Sequence, residues 1–95
     1  MSAYWIARVD VTDPVVYGKY AEVATKAVAE HGGRFLARGG RSVNLEGVNR
    51  QRNVIVVFPS VEHAEKCYNS ETYSKALEYA KSSAERELVI VEGVE

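Results

Sequence analysis

The 95-residue sequence predicts a single α+β domain over residues 1–95, with βαββαβ order and an antiparallel sheet carrying its helices on one face. Three observations lead there. Two helical hydrophobic patterns alternate with short runs of aromatic and β-branched residues, in the order strand, helix, two strands, helix, strand. The chain is long enough to bury a core without metals or disulfides. The strands also supply more apolar surface than the helices can cover.

Tyr4 to Val11 reads as the first strand, closed by the turn signal Thr12-Asp13-Pro14. Asp13 caps the helix that follows, and Pro14 suits its first position, where a missing N–H costs nothing. Val16, Tyr20, Val23, Ala27 and His31 recur at helical spacing, until Gly32-Gly33 supplies a C-cap. Arg34 to Arg38 is a second strand. Gly39-Gly40 permits a bend or bulge, after which Val43 to Leu45 continues the edge. Glu46 to Gln51 is a polar connection to the third strand, Arg52 to Phe58. Ser60 caps a helix presenting Val61, Ala64 and Tyr68. Asn69-Ser70 interrupts it, and a second helical piece aligns Tyr73, Leu77, Ala80 and Ala84. Leu88 to Val91 is the last strand.

Alternation along a strand sends successive side chains to opposite faces. One face then collects Trp5, Ala7, Val9, Val54, Val56, Phe58, Val89 and Val91, and should take the helices. The other still carries Ile6, Ile55, Val57, Leu88 and Ile90. Covering several such side chains is worth several kcal/mol in total at ~25 cal/mol per Å2. No helix remains to do so, and a homodimer using this face twice is the economical cover. Arg8, Asp10, Arg38, Asn53 and Glu92 share the mixed face if Arg38 keeps the register of its neighbours. Charges between two apolar sheets must be paired or border water or a ligand. They form either a structural ion-pair network or a polar-lined cavity at the dimer interface.

Composition narrows the function. Twelve basic against thirteen acidic side chains give a net charge of −1, without the basic excess that nucleic-acid binding uses. The longest apolar run, Val54 to Phe58, is far short of a membrane span. Arg8 and Asp10 follow the first apolar residues too closely for a signal peptide. A single cysteine, Cys67, suits a reducing compartment, so the expected location is cytoplasmic.

Among chemistry-bearing residues, His31 is either a partner for the helix C-terminus or a general base. Asp10 is the other proton-transfer candidate. Arg38 is an anion clamp or an edge salt bridge, with Arg8, Asn53, Tyr20 and Tyr73 completing a ligand-binding set. Cys67 reads as a buried small hydrophobe. No His, Cys and carboxylate spacing suggests a metal, and the glycines lack the pattern of a phosphate or dinucleotide loop, so neither metal nor cofactor is expected.

Tyr4-Trp5-Ile6-Ala7-Arg8-Val9 and Gly32-Gly33-Arg34-Phe35-Leu36-Ala37-Arg38-Gly39-Gly40 resemble a bacterial family known as domain of unknown function 1330. Leu45-Glu46-Gly47, Phe58-Pro59-Ser60, Tyr68 with Ser70 and Tyr73, and Val89-Ile90-Val91-Glu92-Gly93 continue the resemblance over nearly the whole chain. It implies a ferredoxin-like fold in the dimeric α+β-barrel superfamily, whose members include cofactor-independent monooxygenases and muconolactone isomerases. It also implies an arginine in the last helix, where this chain has Ala80-Lys81. Three functions stay open. One is a dimer binding a small, anionic organic metabolite at the sheet–sheet interface. A cofactor-independent enzyme using the same cavity is the second, and a purely structural dimer the third.

Overall fold

A computed structural model describes residues 1–94. The elements run β1 (Ala3–Val11), α1 (Pro14–Glu30), β2 (Arg34–Arg38), β3 (Arg52–Phe58), α2 (Val61–Tyr68), α3 (Glu71–Ser83) and β4 (Ala84–Glu92). The sheet is antiparallel, in the order β2-β3-β1-β4. All three helices start on side-chain caps: Asp13 accepts from the Val16 N–H, Ser60 from His63 and Ser70 from Tyr73. Gly32, at φ 76°, ends α1 in the left-handed region, and Gly33 N–H returns to the Val28 carbonyl. Among the described residues, no helix is long and apolar enough to cross a membrane.

The helices cover one side of the sheet. Trp5, Ala7, Val9, Val54, Val56 and Phe58 are buried there against Tyr20, Ala24, Ala27, Cys67, Tyr73 and Ala76. Trp5 meets the Tyr73 ring edge-on at 5.1 Å. The molecule measures 34 × 34 × 17 Å, and 17 Å is the thickness of one sheet under one helix layer. The opposite face of the sheet is therefore open. On it lie two apolar rows, Val57–Tyr4–Val91 and Ile55–Ile6–Val89, followed by the polar row Asn53–Arg8–Glu87.

Several expectations are corrected. The parity of β4 is the reverse of that expected: Ile90 pairs with Trp5 and Leu88 with Ala7, so they and Glu92 face the helix side, while Val89 and Val91 face outward. From Leu88 to Val91 both parities are apolar, so only the pairing decides. Arg38 pairs with Val54 and lies on the helix side. A register shift between Phe35 and Ala37, upstream of the glycine pair, turns it over. The buried face of α1 is Tyr17, Tyr20, Ala24, Ala27 and Val28, turned from the expected stripe. Residues 43–45 extend no strand; residues 39–51 form an irregular strap. Ala84 opens β4 instead of ending α3, and Tyr68, expected inward with Ala64, is exposed, whereas Cys67 is buried as expected.

Candidate functional site

Strands β1, β3 and β4 place three residues in one row on the helix side: Val9 pairs with Arg52 on one flank and with Arg86 on the other. Arg38 stands one step along, beside Val54. Above them, α1 contributes Tyr17 and Tyr20, and α3 contributes Tyr73. These groups line a cavity of about 40 Å3, several times the ~10–15 Å3 that a single water needs. Trp5, Ala7, Val54 and Phe35 complete its apolar wall. None of the lining residues is acidic.

Arg86 is the centre of the inner end. Its Nη2 donates to the Tyr20 hydroxyl at 2.8 Å and to the Tyr73 hydroxyl at 2.9 Å, and the two hydroxyls lie 2.8 Å apart. Its guanidinium also stacks over the Tyr20 ring at 4.6 Å. Burial pushes the Tyr20 ionisation far above the ordinary phenol range and raises that of Tyr73. Burial opposes the charge on Arg86, but the tyrosines facing it outweigh that, and its pKa is raised on balance. Both phenols stay protonated near neutrality.

The hydrogen bonds can be counted. Of two hydroxyl protons, one is used between the tyrosines, whichever donates. The second has no acceptor among the described residues, and neither does the buried Arg86 Nε. Arg52 Nε is likewise buried without an acceptor. The Arg52 head lies 5.9 Å from the Tyr17 ring, and the Arg38 head stacks on Phe35 at 3.8 Å. Three guanidinium groups thus border one cavity with no carboxylate in its wall, and buried donors of this kind are normally satisfied.

The expected ligand-binding set divides between the two faces. Arg38, Tyr20 and Tyr73 meet in the cavity under α1; Arg8 and Asn53 lie on the open face. There Arg8 Nε donates to Asn53 Oδ1 at 3.1 Å, and Nη2 donates to Asn44 Oδ1 and the Val48 carbonyl. These bonds fasten the strap to the sheet. Asp10, also on the open face, accepts from the Gln51 N–H at 2.9 Å and from Arg50 at 3.0 Å. His31 Nδ1 bonds the Ala27 carbonyl at 2.8 Å, closing the C-terminus of α1. Neither Asp10 nor His31 lines the cavity. Cys67 is buried in the core, which pushes its thiol up to about 11. Among the described residues, no three His, Cys, Asp or Glu side chains are grouped to hold a metal ion.

Arg52 and Arg86 escaped the reading of the sequence. A signal existed for Arg52: it shares parity with Val54, Val56 and Phe58, so its charge had to lie at the margin of the core. Arg86 follows from Leu88 and Ile90 only once the parity of β4 is known.

One helix layer on a β2-β3-β1-β4 sheet is a ferredoxin-like fold, and solved structures share it. A protein of unknown function from Rhodopseudomonas palustris superimposes with a TM-score of 0.82 at 14% identity, covering 99% of this chain and 83% of that one. SnoaB, a cofactor-independent oxygenase from Streptomyces nogalater, gives 0.70 at 9% identity, covering 99% and 94%. A dimeric ferredoxin-like protein of unknown function from Bacteroides fragilis gives 0.66 at 15% identity, covering 97% and 96%. No curated protein matches the sequence. The chain belongs to the family described as domain of unknown function (DUF1330), whose model matches residues 2–94.

Proposed function

We propose that this protein binds a small anionic organic molecule in the cavity between α1 and the sheet. One observation carries the reading: Arg38, Arg52 and Arg86 border a partly apolar cavity whose wall holds no carboxylate. A guanidinium out of water seeks an acidic partner, and here the protein offers tyrosine hydroxyls and aromatic faces instead. The aromatic wall suits a ligand with a planar apolar body. The position differs from the expected sheet–sheet interface because Arg38 and Arg86 face the helices. Benzoate should raise the unfolding temperature and give a calorimetric binding isotherm, while benzylamine should do neither. Arg86→Met should abolish the benzoate response. Equal responses to both compounds would remove the reading.

The protein acts as a homodimer joined through the open sheet face. Val89 and Val91, at 56% and 47% exposure, continue the half-buried Ile6, Ile55 and Val57, while the exposed Val43 and Leu45 of the strap lie by Arg8 and Asn53 at the polar end of this face. A face 34 Å on a side has room for the ~800 Å2 per partner of a standard interface. The Bacteroides fragilis neighbour is itself dimeric. Sedimentation should report twice the monomer mass, and Val89→Asp should halve it. A concentration-independent monomer would refute this.

A second reading, cofactor-independent catalysis, is favoured by the spare tyrosine proton. A protonated phenol beside Arg86 can donate to negative charge developing on a bound oxygen, as oxyanion sites do. SnoaB, of similar fold, is described as a cofactor-independent oxygenase. Turnover of a bound anion that Tyr73→Phe removes without weakening binding would favour this reading over simple binding.

A further inference from the structure

Binding of an anion leaves open how many charges the ligand carries and where they lie. Resting on that reading, we infer that the ligand is a planar diacid, with one acidic group at each end of an apolar body. The inner group meets Arg86 and the tyrosine hydroxyls; the outer group meets Arg52 and Arg38.

Charge is the first argument. The five ion pairs of the described residues occupy Arg50, Lys75 and Lys81 among the cations and none of the three cavity arginines. A monoanion would offset one guanidinium and leave two repelling each other across a space partly shielded from water.

Spacing is the second. Arg52 and Arg86 lie on opposite sides of Val9, two strands apart, so their backbones are roughly 10 Å from one another at ~4.8 Å per strand. Each head is also held on its own side. Arg86 is fixed by two hydroxyls and the Tyr20 ring. Arg38 is stacked on Phe35, and Arg52 lies against Gly39, where a Cβ would run into its guanidinium. A carboxylate in bidentate contact comes within about 3 Å of its arginine, so one group serving both ends would have to draw a head away from the rings or hydroxyls that hold it.

The third argument is the gradient of burial. Tyr20 and Tyr73 are buried and Arg38 is exposed, so the cavity runs from an enclosed end to an open rim. Val54 and Ala7 lie between the two ends of this path. The space of about 40 Å3 admits the inner acid group, and the flat apolar middle lies along Val54 and Ala7 toward the open rim, where the second acid emerges.

Three aromatic acids test this by calorimetry at fixed ionic strength: benzoate with one charge, terephthalate with charges at opposite ends, and phthalate with both at one end. Terephthalate should bind at least tenfold more tightly than benzoate and than phthalate. The Arg38→Met, Arg52→Met double variant should weaken terephthalate at least tenfold and weaken it more than benzoate, closing the gap between the two. Its thermal unfolding curve checks that it is folded, and the three-ligand comparison on the natural protein needs no variant. Benzoate binding with terephthalate no tighter would overturn the diacid and leave the anion site standing. Phthalate matching terephthalate would show that total charge counts and that the two-ended arrangement is wrong. No binding of any of the three would overturn both readings.

Discussion

The two faces of the sheet treat arginine in opposite ways. On the open face Arg50 meets Asp10 at 3.0 Å, Glu87 at 3.5 Å and Glu85 at 3.7 Å, and Arg8 spends its donors on Asn53, Asn44 and a strap carbonyl. On the helix face Arg38, Arg52 and Arg86 have aromatic rings and hydroxyls around them and no acid. The first group answers to the protein itself. It pins residues 39–51, a segment without regular structure, to the ends of β1 and β4. The second group meets no acid in the wall of its cavity. Side chains serving structure should cost stability when removed, and side chains kept for a ligand should not.

The largest effect expected from this contrast is a difference in size between two thermal unfolding shifts. Arg50→Met removes the shared partner of three carboxylates and leaves them facing one another, so its unfolding temperature should fall clearly. Arg86→Met exchanges a partly buried charge without a counter-ion for an apolar chain, which relieves the cost of holding that charge away from water. Two hydrogen bonds to tyrosine are lost with it, at about 1 kcal/mol each. The two effects oppose each other, so the variant should lose less stability than Arg50→Met while losing benzoate binding. Equal losses in both variants would erase the distinction between the two faces.

How far the sequence announces this contrast depends on the strand. In β1 one parity is wholly apolar, and in β3 the parity of Val54, Val56 and Phe58 is broken only by Arg52 at its start, so the placement of Trp5, Arg8, Asp10, Asn53 and Val54 is legible. The helical spacing of Tyr20 and Tyr73 places them in the core, though nothing in it says that their hydroxyls meet. In β4, Leu88 and Ile90 compete with Val89 and Val91 on equal terms, and the long-range pairing of Ile90 with Trp5 settles the matter. Arg38 is misplaced by a register shift one turn of strand away from the glycines that seemed to announce it. The cavity combines residues from β2, β3, β4, α1 and α3. Its acid-free wall is a property of tertiary structure, and no local motif records it.

A smaller effect sharpens the contrast at the junction of the two faces. Gly39 starts the strap at φ 70°, donates its N–H to the Asn53 carbonyl and abuts the Arg52 head. Alanine in this left-handed conformation costs roughly 1–2 kcal/mol, and its methyl group would push Arg52 aside. Gly39→Ala should lose about that much stability and weaken terephthalate more than benzoate. Gly40→Ala is the control, because no atom lies within 4 Å of the added carbon and its φ is not in the left-handed region. If the two variants behave alike in binding, Arg52 is not held by Gly39.

The smallest effect lies in the acid limb of stability and concerns the open face alone. The hydrogen bond from the Gln51 N–H holds the Asp10 carboxyl below its usual value, helped by the hydrogen bond and charge of Arg50 and opposed by burial. A carboxyl depressed in the folded state contributes stability that is fully present above its unfolded pKa, near ~3.9, and that disappears as pH falls through its folded value. The unfolding temperature of Asp10→Asn should thus lie below that of the natural protein at pH 7, and the two curves should converge as pH drops below about 4. Cavity variants such as Arg38→Met should run parallel to the natural protein across the same range, because no carboxylate in the cavity wall titrates there. Parallel curves for Asp10→Asn would mean that the strap is held by something other than this ion pair. Convergence confined to Asp10→Asn would locate the acid sensitivity on the open face and separate it from the cavity.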